Sequence, residues 1–107
     1  MRRLVRGQVP VRAVKVRMLV SRTGALSQVE SPETEQSFRA QVRPIDQRAW
    51  RDPVSLRTLE RRLVLPQGFP DIAQGDHLYM GTDARCFRCT EARSYPLHME
   101  IEVEAMP

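Results

Sequence analysis

Apolar and polar side chains alternate with a period of two along most of this chain. In "VRAVKVRMLV" (residues 11–20), Val14, Val16, Met18 and Val20 share one parity, with Lys15 and Arg17 on the other. Successive side chains of a strand point to opposite faces, so the pattern predicts a half-buried strand with those four apolar residues inward. "SRTG" (21–24) supplies turn residues. "SFRAQVRP" (37–44) alternates again, with Phe38, Ala40 and Val42 on one side and Arg39, Gln41 and Arg43 on the other. Pro44 ends it, because proline has no N–H to give a ladder. Residues 77–81 and 85–92 read as two strands joined by a turn at "TDA" (82–84). The closing stretch "LHMEIEVEAM" (97–106) alternates most cleanly, with Leu97, Met99, Ile101 and Val103 inward and His98, Glu100, Glu102 and Glu104 outward.

Two stretches break the period. Residues 25–36 contain Pro32 together with Glu30, Glu33 and Glu35, and read as a polar loop or a weak edge strand. In residues 45–62, Asp52 can cap a helix with Pro53 at its first position. Leu56, Leu59 and Leu63 then recur at i, i+3 and i+7. The competing reading makes residues 58–65 a strand with Leu59, Leu63 and Leu65 inward. The preferred assignment is a loop or short helix to about residue 57, followed by a strand. The sum is a mainly β protein: a small antiparallel barrel or sandwich of five or six strands with at most one short helix. It forms a single domain over residues 1–107, with a basic amino-terminal segment (1–22) and a variable central loop (45–57).

Length and composition agree with that picture. A chain of 107 residues supports one core burying roughly two-thirds of its unfolded surface. With 41% hydrophobic and 28% charged residues it reads as globular and soluble. No apolar run approaches the ~18 residues of a membrane-spanning helix. Arg12, Lys15 and Arg17 interrupt the early apolar stretch, and no small-residue cleavage site follows, so a cytoplasm is the expected compartment.

Charge adds an asymmetry. The net charge is +4, yet the first acid is Glu30, and the positions before it carry Arg2, Arg3, Arg6, Arg12, Lys15, Arg17 and Arg22. A basic beginning and an acidic end suit contact with nucleic acid, or identical subunits meeting head to tail. A solvated charge pattern gives the same distribution.

The two cysteines, Cys86 and Cys89, raise the question of chemistry. Redox Cys-x-x-Cys pairs work at the start of a helix, where both sulfurs converge. These two lie in a strand-period segment, where positions i and i+3 face opposite ways. For zinc, one pair needs further ligands, and among histidines only His77 and His98 are present. Both cysteines are therefore expected to fill the core, and no metal or cofactor is expected. No nucleophile elbow, zinc-protease helix or glycine-rich phosphate loop is present. Asp71 and Asp76 flank turns, where a carboxylate commonly bonds nearby backbone. Trp50, between Arg48 and Arg51, suits either a core position or an interface.

Several segments in order carry a family resemblance. The chain opens with "MRRLVRGQVPVRAVKV", continues through "FRAQVRPID" (38–46) and a variable loop to "LERRLVLP" (59–66), and closes with "FPDIAQGDHLYMGTDARCFRCTEA" (69–92) and "LHMEIEVE" (97–104). In this order and spacing it resembles the head-closure (stopper, or head–tail adaptor) proteins of long-tailed bacteriophages. The resemblance implies a structural virion protein rather than an enzyme. Identical subunits would form a ring in the virion neck, assembled in the host cytoplasm between portal or adaptor and tail. Such a ring closes the DNA channel and offers a face to the tail.

A channel for DNA needs charge without base reading, because phosphates are common to all sequences. On this reading Arg48, Arg51 and Arg57 are candidates to line it, in non-specific contact with packaged double-stranded DNA. Ring contacts are heterologous, and Arg2, Arg3, Arg6, Trp50, Glu100, Glu102 and Glu104 are candidates for contacts with the next subunit or a neck partner. The alternatives are a tail terminator ring and a nucleic-acid-binding small barrel. A barrel of the latter kind places several aromatics on one strand face.

Overall fold

The computed structural model describes residues 7–45 and 60–106. Six strands account for most of them: β1 (Gln8–Val20), β2 (Leu26–Pro44), β3 (Arg61–Pro66), β4 (His77–Met80), β5 (Phe87–Ser94) and β6 (Met99–Ala105). Every neighbouring pair is antiparallel, in the order β1-β2-β3-β6-β5-β4, and β4 pairs back onto β1 to close a barrel. The mainly β class read from the alternation is therefore the fold. The predicted helix cap at Asp52 and Pro53, with Leu56 and Leu59, lies outside the described residues, as does most of the central loop.

Closure comes from four residue pairs, Val11↔Met80 through Val14↔His77. Just past them the Gly81 N–H donates to the Pro10 carbonyl at 2.8 Å. Inside the ring, Val11 and Ala13 of β1 meet Ala40, Val64, Leu78, Met80, Phe87, Cys89, Met99, Ile101 and Val103. Phe87 is the largest fully buried side chain. Ile72, from the β3–β4 connection, joins the same core.

Two irregularities shape the sheet. In β5, Cys89 pairs with Val103 and Glu91 with Glu102, so Thr90 is an extra residue. Its hydroxyl donates to the Glu102 carbonyl at 3.1 Å, which satisfies a group that the bulge disturbs. In the β1–β2 hairpin, Ala13 pairs with Gln36 but Lys15 pairs with Ser31, leaving residues 32–35 looped out of register. Thr34 Oγ1 accepts the Lys15 N–H at 2.9 Å and donates to the Ser31 carbonyl at 2.6 Å. Pro32 falls in this gap, where no ladder hydrogen bond is asked of it.

Several expectations about facing change as a result. Of the two readings for residues 25–36 the strand holds: from Leu26 they belong to β2, which runs on to Pro44, and its part from Leu26 to Ser31 pairs only with β1 among the described residues. The core face of β1 is Val11 and Ala13, not the parity of Val14, Val16, Met18 and Val20. Val14 is buried but outside the main core cluster, while Met18 and Val20 are 51% and 68% exposed. The apolar parity switches between Ala13 and Val14, where the register breaks, because β1 leaves the barrel there. In β3 the inward residue is Val64, and Leu63 and Leu65 are only partly buried. Leu97 precedes β6 and is 92% exposed, whereas Met99, Ile101 and Val103 face inward as the alternation predicts.

Phe87→Ala removes the largest core side chain and should cost about 3–5 kcal/mol in urea unfolding, against about 0.5–1.5 kcal/mol for Ile101→Val.

Candidate functional site

Three features stand out on the outside of the barrel: a ribbon, a row of acids and a polar cluster where the ribbon leaves the barrel. The ribbon is the distal half of the β1–β2 hairpin. From Lys15↔Ser31 to Val20↔Leu26 these strands pair only with each other among the described residues. Six residues of strand reach about 20 Å. The tip is a tight turn, in which the Ser21 N–H donates to the Ala25 carbonyl at 2.9 Å and Gly24 takes a φ of +85°. Leu26, 65% exposed, lies opposite Val20, and Met18 and Leu19 are exposed beside them. Exposed apolar residues in one patch mark a contact surface more often than scattered ones do.

The acid row lies on β6. Glu100, Glu102 and Glu104 stand on its outer face, and each is already paired within the subunit. Arg93 reaches Glu100 at 3.3 Å and Glu102 at 2.6 Å, and Arg61 lies 3.5 Å from Glu102. Arg88 pairs with Glu104, and His98 approaches Glu100 at 3.2 Å. The hydrogen bond with His98 holds the Glu100 carboxyl below its ordinary value, with desolvation opposing and Arg93 assisting. Any neighbour binding this row must displace partners it already has. Arg2, Arg3, Arg6, Arg48, Trp50, Arg51 and Arg57 all lie outside the described residues.

A second charged group joins the start of β3 to the β4–β5 turn. Arg85 grips Glu60 with both terminal nitrogens, at 2.8 and 3.0 Å, and also donates to Asp83 at 2.8 Å. Arg62 reaches Glu60 at 2.6 Å. The hydrogen bond from Arg85, then that from Arg62, outweighs burial and lowers the Glu60 carboxyl below its ordinary 4.5.

The polar cluster at the root of the ribbon was not foreseen from the sequence. On β4, Leu78 and Met80 point inward, so His77 and Tyr79 point outward. Glu30 crosses from β2, placing Oε2 2.8 Å from His77 Nδ1 and accepting a hydrogen bond from Tyr79 Oη. Cys86, just before β5, offers its sulfur to the same group. The Arg12 guanidinium lies 4.3 Å from the Tyr79 ring centroid and pairs with Glu35 at 3.0 Å. The Tyr79 hydrogen bond is the main influence lowering the Glu30 carboxyl, with burial opposing and His77 assisting. The same bond, with burial, pushes the Tyr79 phenol well above its usual value. On the other side of the root, Lys15 Nζ sits 2.8 Å from Asp76, whose carboxylate also accepts the Ala73 N–H at 2.9 Å. Asp76 is thus the turn residue expected of it, with a second bond to β1. Asp71 lies 3.6 Å from Lys15, and its side chain is exposed.

The cysteines divide between these environments. Cys89 faces the core, and burial pushes its thiol up to about 11. Cys86 is a correction to the core-filling expectation: it is partly buried on the outer side, with its sulfur 3.6 Å from Met106 Sδ. Burial raises its thiol too, while the hydrogen bond with Tyr79 lowers it. The opposite facing of the two sulfurs follows from strand period. Counting only cysteines and histidines missed the cluster, because Glu30 comes from 47 positions before His77.

The described aromatics do not share one strand face. Phe87 is in the core, Phe38 packs against it, Tyr79 lies under Arg12, and Tyr95 stacks on His98 at 4.8 Å. In comparisons of the chain with family models, curated proteins and solved structures, none matches.

Two outcomes follow. In native protein at neutral pH an alkylating reagent should modify Cys86 slowly and leave Cys89 untouched until unfolding, as read by peptide mass spectrometry. The unfolded chain protonates Glu60 near 4.5, whereas the folded chain does so only at lower pH. Over that interval the unfolded state binds more protons, so stability falls as pH falls. Unfolding curves across the acid range should therefore show a shallower acid limb for Glu60→Gln than for the parent.

Proposed function

We propose that this chain is the repeating subunit of a ring in the neck of a long-tailed bacteriophage. The ring sits between portal or adaptor and tail, closes the DNA channel and gives the tail a docking face. The observation that carries the reading is the β1–β2 ribbon. A closed barrel offers no sheet edge, yet among the described residues the distal ribbon has two edges without a further strand, and it exposes Met18, Leu19, Val20 and Leu26. A ring needs one surface of each subunit to meet a different surface of the next. The ribbon supplies the projecting surface. The open groove of about 640 Å³ beside Pro10, Arg12, Phe38, Arg39 and Tyr79 supplies a partly apolar receiving one. The order of segments, which resembles that of head-closure proteins, supports a position in the virion neck for such a ring.

This reading shifts weight from the acid row to the ribbon. The glutamates of β6 have partners already, whereas the apolar tip has none in the described subunit. The candidate channel arginines, Arg48, Arg51 and Arg57, keep their role as part of the proposal.

Electron microscopy of neck complexes should show this chain as a ring between portal and tail in the parent. Val20→Glu with Leu26→Glu should abolish that ring and release packaged DNA. Unfolding stability should stay within about 0.5 kcal/mol, as for surface substitutions. Neck complexes without the ring in the parent would overturn the proposal, and a ring carried by isolated tails but absent from filled heads without tails would mark a tail terminator instead.

A further inference from the structure

Glu30, His77 and Cys86 place a carboxylate oxygen, an imidazole nitrogen and a sulfur within 4.8 Å of one another. They come from three separate places in the fold: β2 in the ribbon, β4 in the barrel wall, and the turn before β5. We propose that these three side chains bind a zinc-type divalent cation, which clasps the root of the ribbon to the barrel.

The donor set fits such an ion. Zinc takes thiolate, imidazole and carboxylate ligands at about 2.0–2.3 Å, which puts tetrahedral donors about 3.3–3.8 Å apart. Donors up to 4.8 Å apart must therefore close in by about an ångström, while Glu30 Oε2 and His77 Nδ1, now 2.8 Å apart, must part by about half an ångström. Harder cations select all-oxygen sites, and a mixed sulfur, nitrogen and oxygen set disfavours them. An ionised Glu30 and a thiolate at Cys86 together carry two negative charges, which match a divalent ion. Binding releases the Cys86 thiol proton to solvent and requires no oxidant or reductant.

The histidine is held in place beside the carboxylate. His77 is only 9% exposed, and its Nε2 is buried with no hydrogen-bond partner among the described residues. An ionised carboxylate only accepts, so the His77 Nδ1–H must donate to Glu30. In the neutral ring Nε2 is then a bare lone pair out of reach of water, a costly state for a polar atom. A cation bound at Nδ1 would take the place of the proton shared with Glu30, and that proton would pass to Nε2, so the carboxylate and the imidazole would turn the atoms that now face each other toward the ion. Tyr79, held protonated by its bond to Glu30, keeps the carboxylate in place. Three protein ligands leave the fourth position to water.

The clasp would fix the angle at which the ribbon leaves the barrel. It joins the strand that departs, β2, to the strand that closes the ring, β4. The inference does not depend on the ring, since it concerns one subunit.

The test uses the full chain, reduced and stripped of metal, titrated with Co²⁺ alone and then with Zn²⁺. Cobalt should bind one to one with a thiolate-to-cobalt charge-transfer band in the near ultraviolet and the visible bands of a four-coordinate ion. Zinc should erase both and raise the unfolding temperature. Cys86→Ser should remove the charge-transfer band, and Glu30→Gln and His77→Gln should each weaken cobalt binding by about 10-fold or more. His98→Gln and Cys89→Ala, if folded by circular dichroism, should leave the spectrum unchanged. A folded parent with no charge-transfer band, a band that survives Cys86→Ser, or affinity indifferent to both Glu30→Gln and His77→Gln would overturn the proposal.

Discussion

The pairing of residues 11–14 with residues 77–80 joins the two ends of the six-stranded sheet. Without it, β1 and β4 would each present an open edge, a template for unwanted pairing. With it, Val11 and Ala13 enter the same core as Leu78 and Met80, and the barrel is filled from all sides. The same four residues of β1 also mark the last point at which that strand belongs to the barrel. Beyond Val14 it pairs with β2 alone among the described residues.

That transition requires several compensations, and the polar residues around it supply them. The looped-out residues 32–35 absorb the mismatch between the curved wall and the ribbon, with Thr34 satisfying backbone groups on both sides. Lys15 ties the root to Asp76 in the β3–β4 connection, and Glu30 ties it to His77 and Tyr79 on β4. A two-stranded hairpin is marginal by itself in water. Its anchorage to the barrel, more than its own ladder, accounts for a defined ribbon. The burial of Val14 beside these bonds adds apolar area to the same joint.

The outer wall follows a different rule. Along β5 and β6 the outward side chains are mostly arginines and glutamates in cross-strand reach of each other, and Arg61 of β3 joins them. Such exposed pairs contribute little stability each, but together they occupy the charges of the wall. Exposed apolar side chains gather at the ribbon tip, with Phe69, Tyr95 and Leu97 exposed in connections elsewhere, so the charged wall and the apolar projection are distinct surfaces.

Period-two alternation by itself determined the β class, the strands around Phe38, Leu78, Phe87 and Ile101, and the inward parity of Met99, Ile101 and Val103. These were legible because strand facing is a local property: each residue's side is set by its neighbour. Tertiary structure alone decided that Met18 and Val20 are exposed, that Val64 rather than Leu63 faces the core, and that Cys86 lies outside while Cys89 lies within. It also decided that Glu30 meets His77. Each of these depends on where a strand leaves the barrel or which strand lies beside it, and pairing between distant segments leaves no trace in the period of either one.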